Sequence, residues 1–118
     1  MKTFAKILIM LVRLIAVVSI VFGVMIWAAS GMQFLGVHIA LGFAITLAVL
    51  LLAVMGLMRG AIGLGIGGLV VAGLLPYVGF RQFPLVFKSF GAMQVAHVIV
   101  VLAALGIAEA LHARIAKS

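Results

Sequence analysis

Two histidines of this chain stand at matched positions in long apolar segments. His38 lies eight residues after Ser30, and His97 lies eight residues after Ser89. Ionisable side chains at membrane depth are costly and mark functional sites by default. If both segments are helices that run in the same direction, a rise of about 1.5 Å per residue puts both imidazoles roughly 8–12 Å below one membrane surface. The spacing therefore predicts two imidazoles at one level on separate helices.

A pair of imidazoles suits few kinds of metal site. Zinc takes three or four protein ligands, but the chain has no Cys. Its one acid, Glu109, is expected at a different membrane depth from the two histidines. Haem iron can be held by two axial imidazoles that project from facing helices into a bundle core. We therefore predict that His38 and His97 are the axial ligands of one haem, attached without a thioether link because that link needs Cys. The alternative, a polar contact between two helices, stays open.

A porphyrin between the histidines requires small residues on the neighbouring helices at the same depth. Counted back from the outer helix ends, Gly23 and Gly73 reach the level of the histidines, and Gly42 follows His38 by about one turn. We predict that these three glycines make room for the porphyrin. Glycines of membrane helices also allow close helix packing, so that second interpretation stays open.

The haem propionates are expected to point to the nearer, outer membrane surface. Arg81 and Lys88 are the only cations that the sequence places on that side. Both are therefore candidate propionate partners, and the planar fork of Arg suits a carboxylate especially well. The alternative is that they are ordinary loop charges at the lipid surface.

The composition explains which elements must position these residues. Of the 118 residues, 69% are hydrophobic and 8% are charged, against roughly 25% charged in soluble domains. Four continuous apolar runs, about 7–29, 32–58, 61–80 and 91–112, each have the length of a spanning helix, whereas barrel strands alternate over about 10 residues. The sequence predicts one integral membrane domain, 1–118, with an all-α, four-helix up-and-down bundle. Pro76 is expected to kink or end the third helix.

The charges predict an orientation and exclude one class of partner. The net charge is +7. The cations are scattered within and between the apolar runs and do not cluster on one face, so no nucleic-acid partner is expected. Cytoplasmic loops carry the excess of Lys and Arg. We expect both termini to be cytoplasmic, in a bacterial inner membrane, because one side holds six cations and the other holds only Arg81 and Lys88. The six are Lys2, Lys6, Arg13, Arg59, Arg114 and Lys117.

A second polar group is expected nearer the cytoplasmic side. Arg13 lies about two turns into the first run, and Glu109 lies a similar distance from the end of the fourth. We predict that the two side chains neutralise one another. The functional alternative is a proton or quinone site made by Glu109 with His112, which are three residues apart on one helix.

The segment Gly36-Val37-His38-Ile39-Ala40-Leu41-Gly42, together with Gln94-Val95-Ala96-His97, resembles small bacterial four-helix membrane cytochromes of b type. The resemblance extends over the whole chain in architecture and implies haem b with both histidines axial. Small multidrug resistance exporters share the size and the number of spans. Their essential Glu is in the first helix, however, where this chain has Arg13.

These patterns together predict a membrane b-type cytochrome with one haem near the outer leaflet. Two axial histidines close both coordination positions, so an electron carrier is expected and not a substrate-converting enzyme. The expected electron partners are quinol in the lipid bilayer or a periplasmic redox protein. The alternatives are a haem-free accessory or structural subunit of a larger membrane complex and, less well supported by a single carboxylate, a small transporter. A homo-oligomer is compatible with either of the first two.

Overall fold

The computed structural model of the chain describes residues 1–28, 31–81 and 92–118, without the side chains of Met32, Ala92 and Met93. All regular structure in these ranges is helical, which confirms the predicted all-α four-helix bundle. The first and last helices are longer than the apolar runs, because the flanking cationic residues continue them. The elements are α1 (Lys2–Trp27), a 3-10 turn (Met32–Phe34), α2 (Leu35–Met58), α3 (Ile62–Phe80) and α4 (Ala92–Lys117).

All four helices have the length and apolarity of membrane spans. Their most apolar windows have mean hydropathies from 1.8 to 2.8. Large apolar side chains also point outward, with exposed fractions of 64% for Leu14, 67% for Met58 and 61% for Leu102. A monomeric soluble protein rarely exposes contiguous apolar surface on this scale. The chain is therefore an integral membrane protein whose outer surface faces lipid.

Consecutive helices pack against each other, and α1 also packs against α4. The link between α2 and α3 is short because Gly60 has a φ of 83°, a left-handed conformation that glycine adopts without steric cost. In this turn the Ala61 N–H donates to the Gly56 carbonyl and the Gly60 N–H donates to the Leu57 carbonyl. These two bonds form a Schellman motif that satisfies the last carbonyls of α2.

Both termini and the α2–α3 turn lie at one end of the bundle. The Arg59 guanidinium reaches the Ser118 hydroxyl at 3.0 Å and the Met1 sulfur at 3.2 Å. We call this the termini end, and the opposite end, where α1 stops at Trp27 and α3 at Phe80, the histidine end. The arrangement agrees with the predicted up-and-down topology.

Glycines hold the helices together near the termini end. A Cβ added to Gly68 would lie 2.7 Å from the Ala53 Cβ, and one added to Gly56 would lie 2.5 Å from Cδ2 of Leu111. Apolar burial between helices drives little association in lipid, so close backbone approach at small residues supplies the packing. The Gly56–Leu111 contact also joins α2 to α4 across the diagonal. The diagonal helices α2 and α4 are therefore in direct contact at this end.

The bundle is tightly filled in one half and open in the other. The largest fully buried side chains all lie in the half nearer the termini: Ile9, Val12, Val49, Leu52, Leu111 and Ile115. Toward the histidine end the helices separate around a cavity. Pro76 does not end α3, which continues to Phe80 and contributes Pro76 to the cavity wall.

Candidate cofactor site

His38 is held in one orientation by α1. Its Nδ1 lies 2.9 Å from the backbone carbonyl oxygen of Ser19 and 3.2 Å from the Ser19 hydroxyl. A carbonyl oxygen only accepts, so Nδ1 carries the proton and donates it, and the neutral ring keeps the lone pair on Nε2. This is the arrangement that metal-bound histidines usually have, with the second ring nitrogen bonded to an outer acceptor. His38 is therefore oriented to offer Nε2 as a ligand.

His97 approaches from α4 and packs against α3. A Cβ added to Gly79 would lie 3.6 Å from Cε1 of His97, an ordinary van der Waals contact, so the ring packs directly against α3 at Gly79. The Nδ1 atom of His97 is buried and has no hydrogen-bond partner among the described residues. A buried polar atom without a partner is uncommon in a folded protein and indicates a missing interaction. Nδ1 of His97 is thus not held by an acceptor, unlike Nδ1 of His38.

The structure brings the two predicted ligands together. The ring centroids of His38 and His97 lie 6.4 Å apart, with 72° between the ring planes. A metal–imidazole bond of about 2 Å and about 1.1 Å from ring nitrogen to centroid place two opposed imidazoles on one metal ion roughly 6.2 Å apart, centroid to centroid. The observed separation is compatible with a shared ion, and it also lies within the range of an edge-to-face ring contact.

A cavity of about 390 Å³ surrounds the two rings, and all four helices contribute to its wall. This volume is within the range of small-molecule and cofactor sites, which are mostly apolar with a few fixed polar groups. Besides the histidines, the polar side chains of the wall are Ser19, Thr46 and the indole of Trp27, and the Thr46 hydroxyl already donates to the Gly42 carbonyl. The wall is therefore apolar apart from a few polar groups, of which the two imidazoles are the only ionisable ones.

Two of the three predicted glycines line this cavity and the third does not. Gly23 faces the His38 ring, since a Cβ there would lie 3.1 Å from Cε1, and Gly42 borders open space. Gly73 is exposed on the outer side of α3 and is absent from the cavity wall, so its predicted place beside a porphyrin is corrected. Gly79, in contrast, lines the cavity. It lies six residues closer to the end of α3 than Gly73, which is about 9 Å along the helix axis and about one and two-thirds turns around it, so both the depth and the helix face differ from the prediction.

Ser19 was also missed by the sequence analysis. Nothing in its type marks it, but it lies one turn before Gly23 on α1, and that spacing puts both residues on the helix face toward His38. A search for a polar residue one turn from each small residue would have found it.

The structure describes one of the two predicted propionate partners, Arg81. Arg81 follows the last residue of α3 at the histidine end, is exposed, and has its guanidinium carbon 6.0 Å from the centre of the Tyr77 ring. It does not line the cavity. Lys88 lies outside the described residues.

The predicted pair of Arg13 and Glu109 is confirmed. Nε and Nη2 of Arg13 lie 2.6 and 2.8 Å from the two carboxylate oxygens of Glu109. Both side chains are about half exposed, at 57% and 46%, and they join α1 to α4 on the lipid-facing side. This two-pronged geometry is the strongest that an Arg and a carboxylate form.

Glu109→Gln is expected to lower the Tm, and adding Arg13→Gln is expected to restore part of the loss. The single change leaves Arg13 charged and unpaired in an apolar surrounding, which is more disruptive than removing both charges. Thermal unfolding of the two single variants and the double variant in one detergent measures the coupling. Additive losses would show that the pair does not stabilise the bundle.

No cluster of three or more His, Cys, Asp or Glu side chains occurs among the described residues. Comparisons of the chain with protein-family models, with curated proteins and with solved structures found no match. The function therefore has to be inferred from the geometry of the cavity.

Proposed function

We propose that this protein is a membrane cytochrome that holds one haem b between His38 and His97 and transfers single electrons. The observation that supports the proposal most directly is the pair of imidazoles at 6.4 Å in an apolar cavity built by four helices. The orientation of His38 by the Ser19 carbonyl adds to it. When bound, haem iron supplies a reversible one-electron change.

Each residue of the site has a distinct role in this proposal. His38 and His97 would each hold the haem iron through one ring nitrogen, and an iron held by two imidazoles would supply one-electron transfer and not oxygen chemistry. The Ser19 carbonyl holds the proton of His38 on Nδ1 and keeps the ring oriented. Gly23, Gly42 and Gly79 leave space, and the apolar wall excludes water. Arg81 and Lys88 are the proposed propionate partners at the outer surface.

Purified wild-type protein from haem-replete bacteria is expected to be red. Its reduced-minus-oxidised absorption spectrum should be that of a six-coordinate, low-spin b haem, and acid acetone should extract the pigment because no covalent link holds it. Apoprotein purified from haem-starved cells provides the control and should gain the same spectrum when haem is added. Colourless wild-type protein that takes up no added haem would favour a haem-free accessory subunit.

The proposed setting is a bacterial inner membrane with the termini end in the cytoplasm. The termini end carries Lys2, Lys6, Arg59, Arg114 and Lys117, and loops rich in Lys and Arg stay on the cytoplasmic side. This orientation places the haem near the outer leaflet. Quinol in the bilayer or a periplasmic redox protein is then the electron partner.

The orientation is tested with single cysteines, because the natural chain has none. Cys in place of Ser89 should react with an impermeant thiol reagent on intact cells, whereas Cys in place of Ser118 should react only after the membrane is opened. The opposite pattern would reverse the orientation and move the haem to the cytoplasmic leaflet.

A further inference from the structure

A second recess lies on the lipid-facing seam between α1 and α4. Its volume is about 240 Å³, and the ion pair of Arg13 and Glu109 forms part of its wall. The rest of the wall is apolar, and three of its residues, Ala16, Ile20 and Leu105, also line the histidine cavity. The recess is therefore an apolar groove that adjoins the histidine cavity through these shared residues, with the ion pair in its wall.

The ion pair has hydrogen-bonding capacity that the protein does not use. Glu109 engages Nε and Nη2 of Arg13, and a guanidinium carries five N–H donors, so three N–H groups remain. The carboxylate likewise accepts more than two hydrogen bonds. Arg13 lies about 9 Å along α1 from the start of the apolar run at Ile7, within the stretch where lipid tails offer these groups no partner. A ligand with both donors and acceptors would stabilise the pair.

The charge of the pair restricts the kind of headgroup that fits. Arg13 and Glu109 together carry no net charge. The Glu109 carboxylate therefore repels an anionic headgroup, and the Arg13 guanidinium repels a cationic one. A neutral headgroup with carbonyl or hydroxyl oxygens is complementary to both side chains. It accepts from the unused N–H groups of Arg13 and, in its reduced form, donates to Glu109.

The shape of the groove requires an apolar tail on the same ligand. Ala16, Val17 and Ile20 follow Arg13 on one stripe of α1, at the spacings of three, four and seven residues that share a helix face. Val17 is 63% exposed, so the groove opens sideways to lipid. We propose that this groove binds an isoprenoid quinone or quinol, with its ring at Arg13 and Glu109 and the start of its chain along the stripe. That this ligand exchanges electrons with the haem rests on the proposed function. That it binds in the groove does not.

The test uses a benzoquinone that carries a decyl tail and a photoreactive azido group, with the purified protein in detergent. Light-induced labelling should map to peptides of α1 and α4 that contain the groove residues, and an excess of the unlabelled decyl quinone should prevent it. The double variant Arg13→Gln/Glu109→Gln should lose labelling at least tenfold. Arg114→Gln, a change of one exposed cation near the end of α4, is the matched control and should keep it.

Val17→Trp provides a second variant that keeps the ion pair and fills the groove, and it should lose labelling while its Tm stays close to that of the wild type. His38→Ala separates the two proposals: labelling of the groove in that variant supports the quinone site even if no haem is bound. Unchanged labelling in both groove variants would overturn the proposal. Protection by vesicles of phosphatidylglycerol, but not by decyl quinone, would also overturn it and assign the groove to a phospholipid.

Discussion

His38→Ala and His97→Ala are each expected to abolish the low-spin b-type spectrum of the purified protein. Either change would remove one of the two proposed ligand nitrogens, so an iron held by the remaining imidazole would not be six-coordinate through protein ligands. Reduced-minus-oxidised spectra at matched protein concentration, with haem content measured after acid acetone extraction, give the result. His112→Ala, which changes a histidine at the other end of α4, is the matched control and should keep the wild-type spectrum.

The two variants should differ in how far added imidazole restores the spectrum. In His97→Ala, the Ser19 carbonyl still orients His38, so free imidazole has only one vacant position to fill beside a fixed ligand. In His38→Ala that oriented ligand is gone, and we expect weaker recovery. A low-spin spectrum that persists in either variant without added imidazole would falsify the assignment of that histidine.

Gly23→Val should lower haem content, whereas Gly73→Val should leave it unchanged. A Cβ at Gly23 would lie 3.1 Å from the His38 ring, and the two methyl groups of Val extend further into the space beside it. No atom lies within 4 Å of a Cβ at Gly73, which is exposed on α3. Overpacking costs about 1–3 kcal/mol, which corresponds to a loss of affinity of roughly 5- to 150-fold.

Haem titration of the two apoproteins measures this difference. The two variants make the same chemical change, because each replaces a glycine within a membrane helix by valine, a β-branched residue. Circular dichroism should show equal helix content in both. Equal loss of haem affinity in the two variants would mean that Gly23 has no special position beside the ligand.

The number and type of the elements could be predicted from local composition. Continuous apolar runs of about 20 residues leave the backbone no alternative to helices in lipid, because each N–H and C=O must be satisfied within its own segment. The link at Gly60 and the cationic helix ends follow from equally local rules. The ends of α1 and α4 were less well predicted, because Lys2 and Lys117 continue the helices beyond the apolar runs.

The candidate ligands were also within reach of the sequence. His38 and His97 stand out because imidazoles are rare in apolar helices, and their equal distance from the helix ends predicts a common depth. The pairing of Arg13 with Glu109 follows from the same reasoning, since Glu109 is the only acid in the chain. Depth along a helix is a one-dimensional quantity, and the sequence determines it.

Which way each helix faces was decided only by the tertiary structure. Gly79 lies about 9 Å nearer the histidine end of α3 than Gly73 and on a different face. Close contacts such as Gly68 against Ala53 set the position and rotation of that helix, so that Gly79 meets His97 and Gly73 is exposed. The same packing brings the Ser19 carbonyl to His38. The sequence by itself therefore determined the membrane helices, the depth of the histidines and the ion pair. Helix rotation, which depends on contacts between distant residues, decided the shape of the cavity.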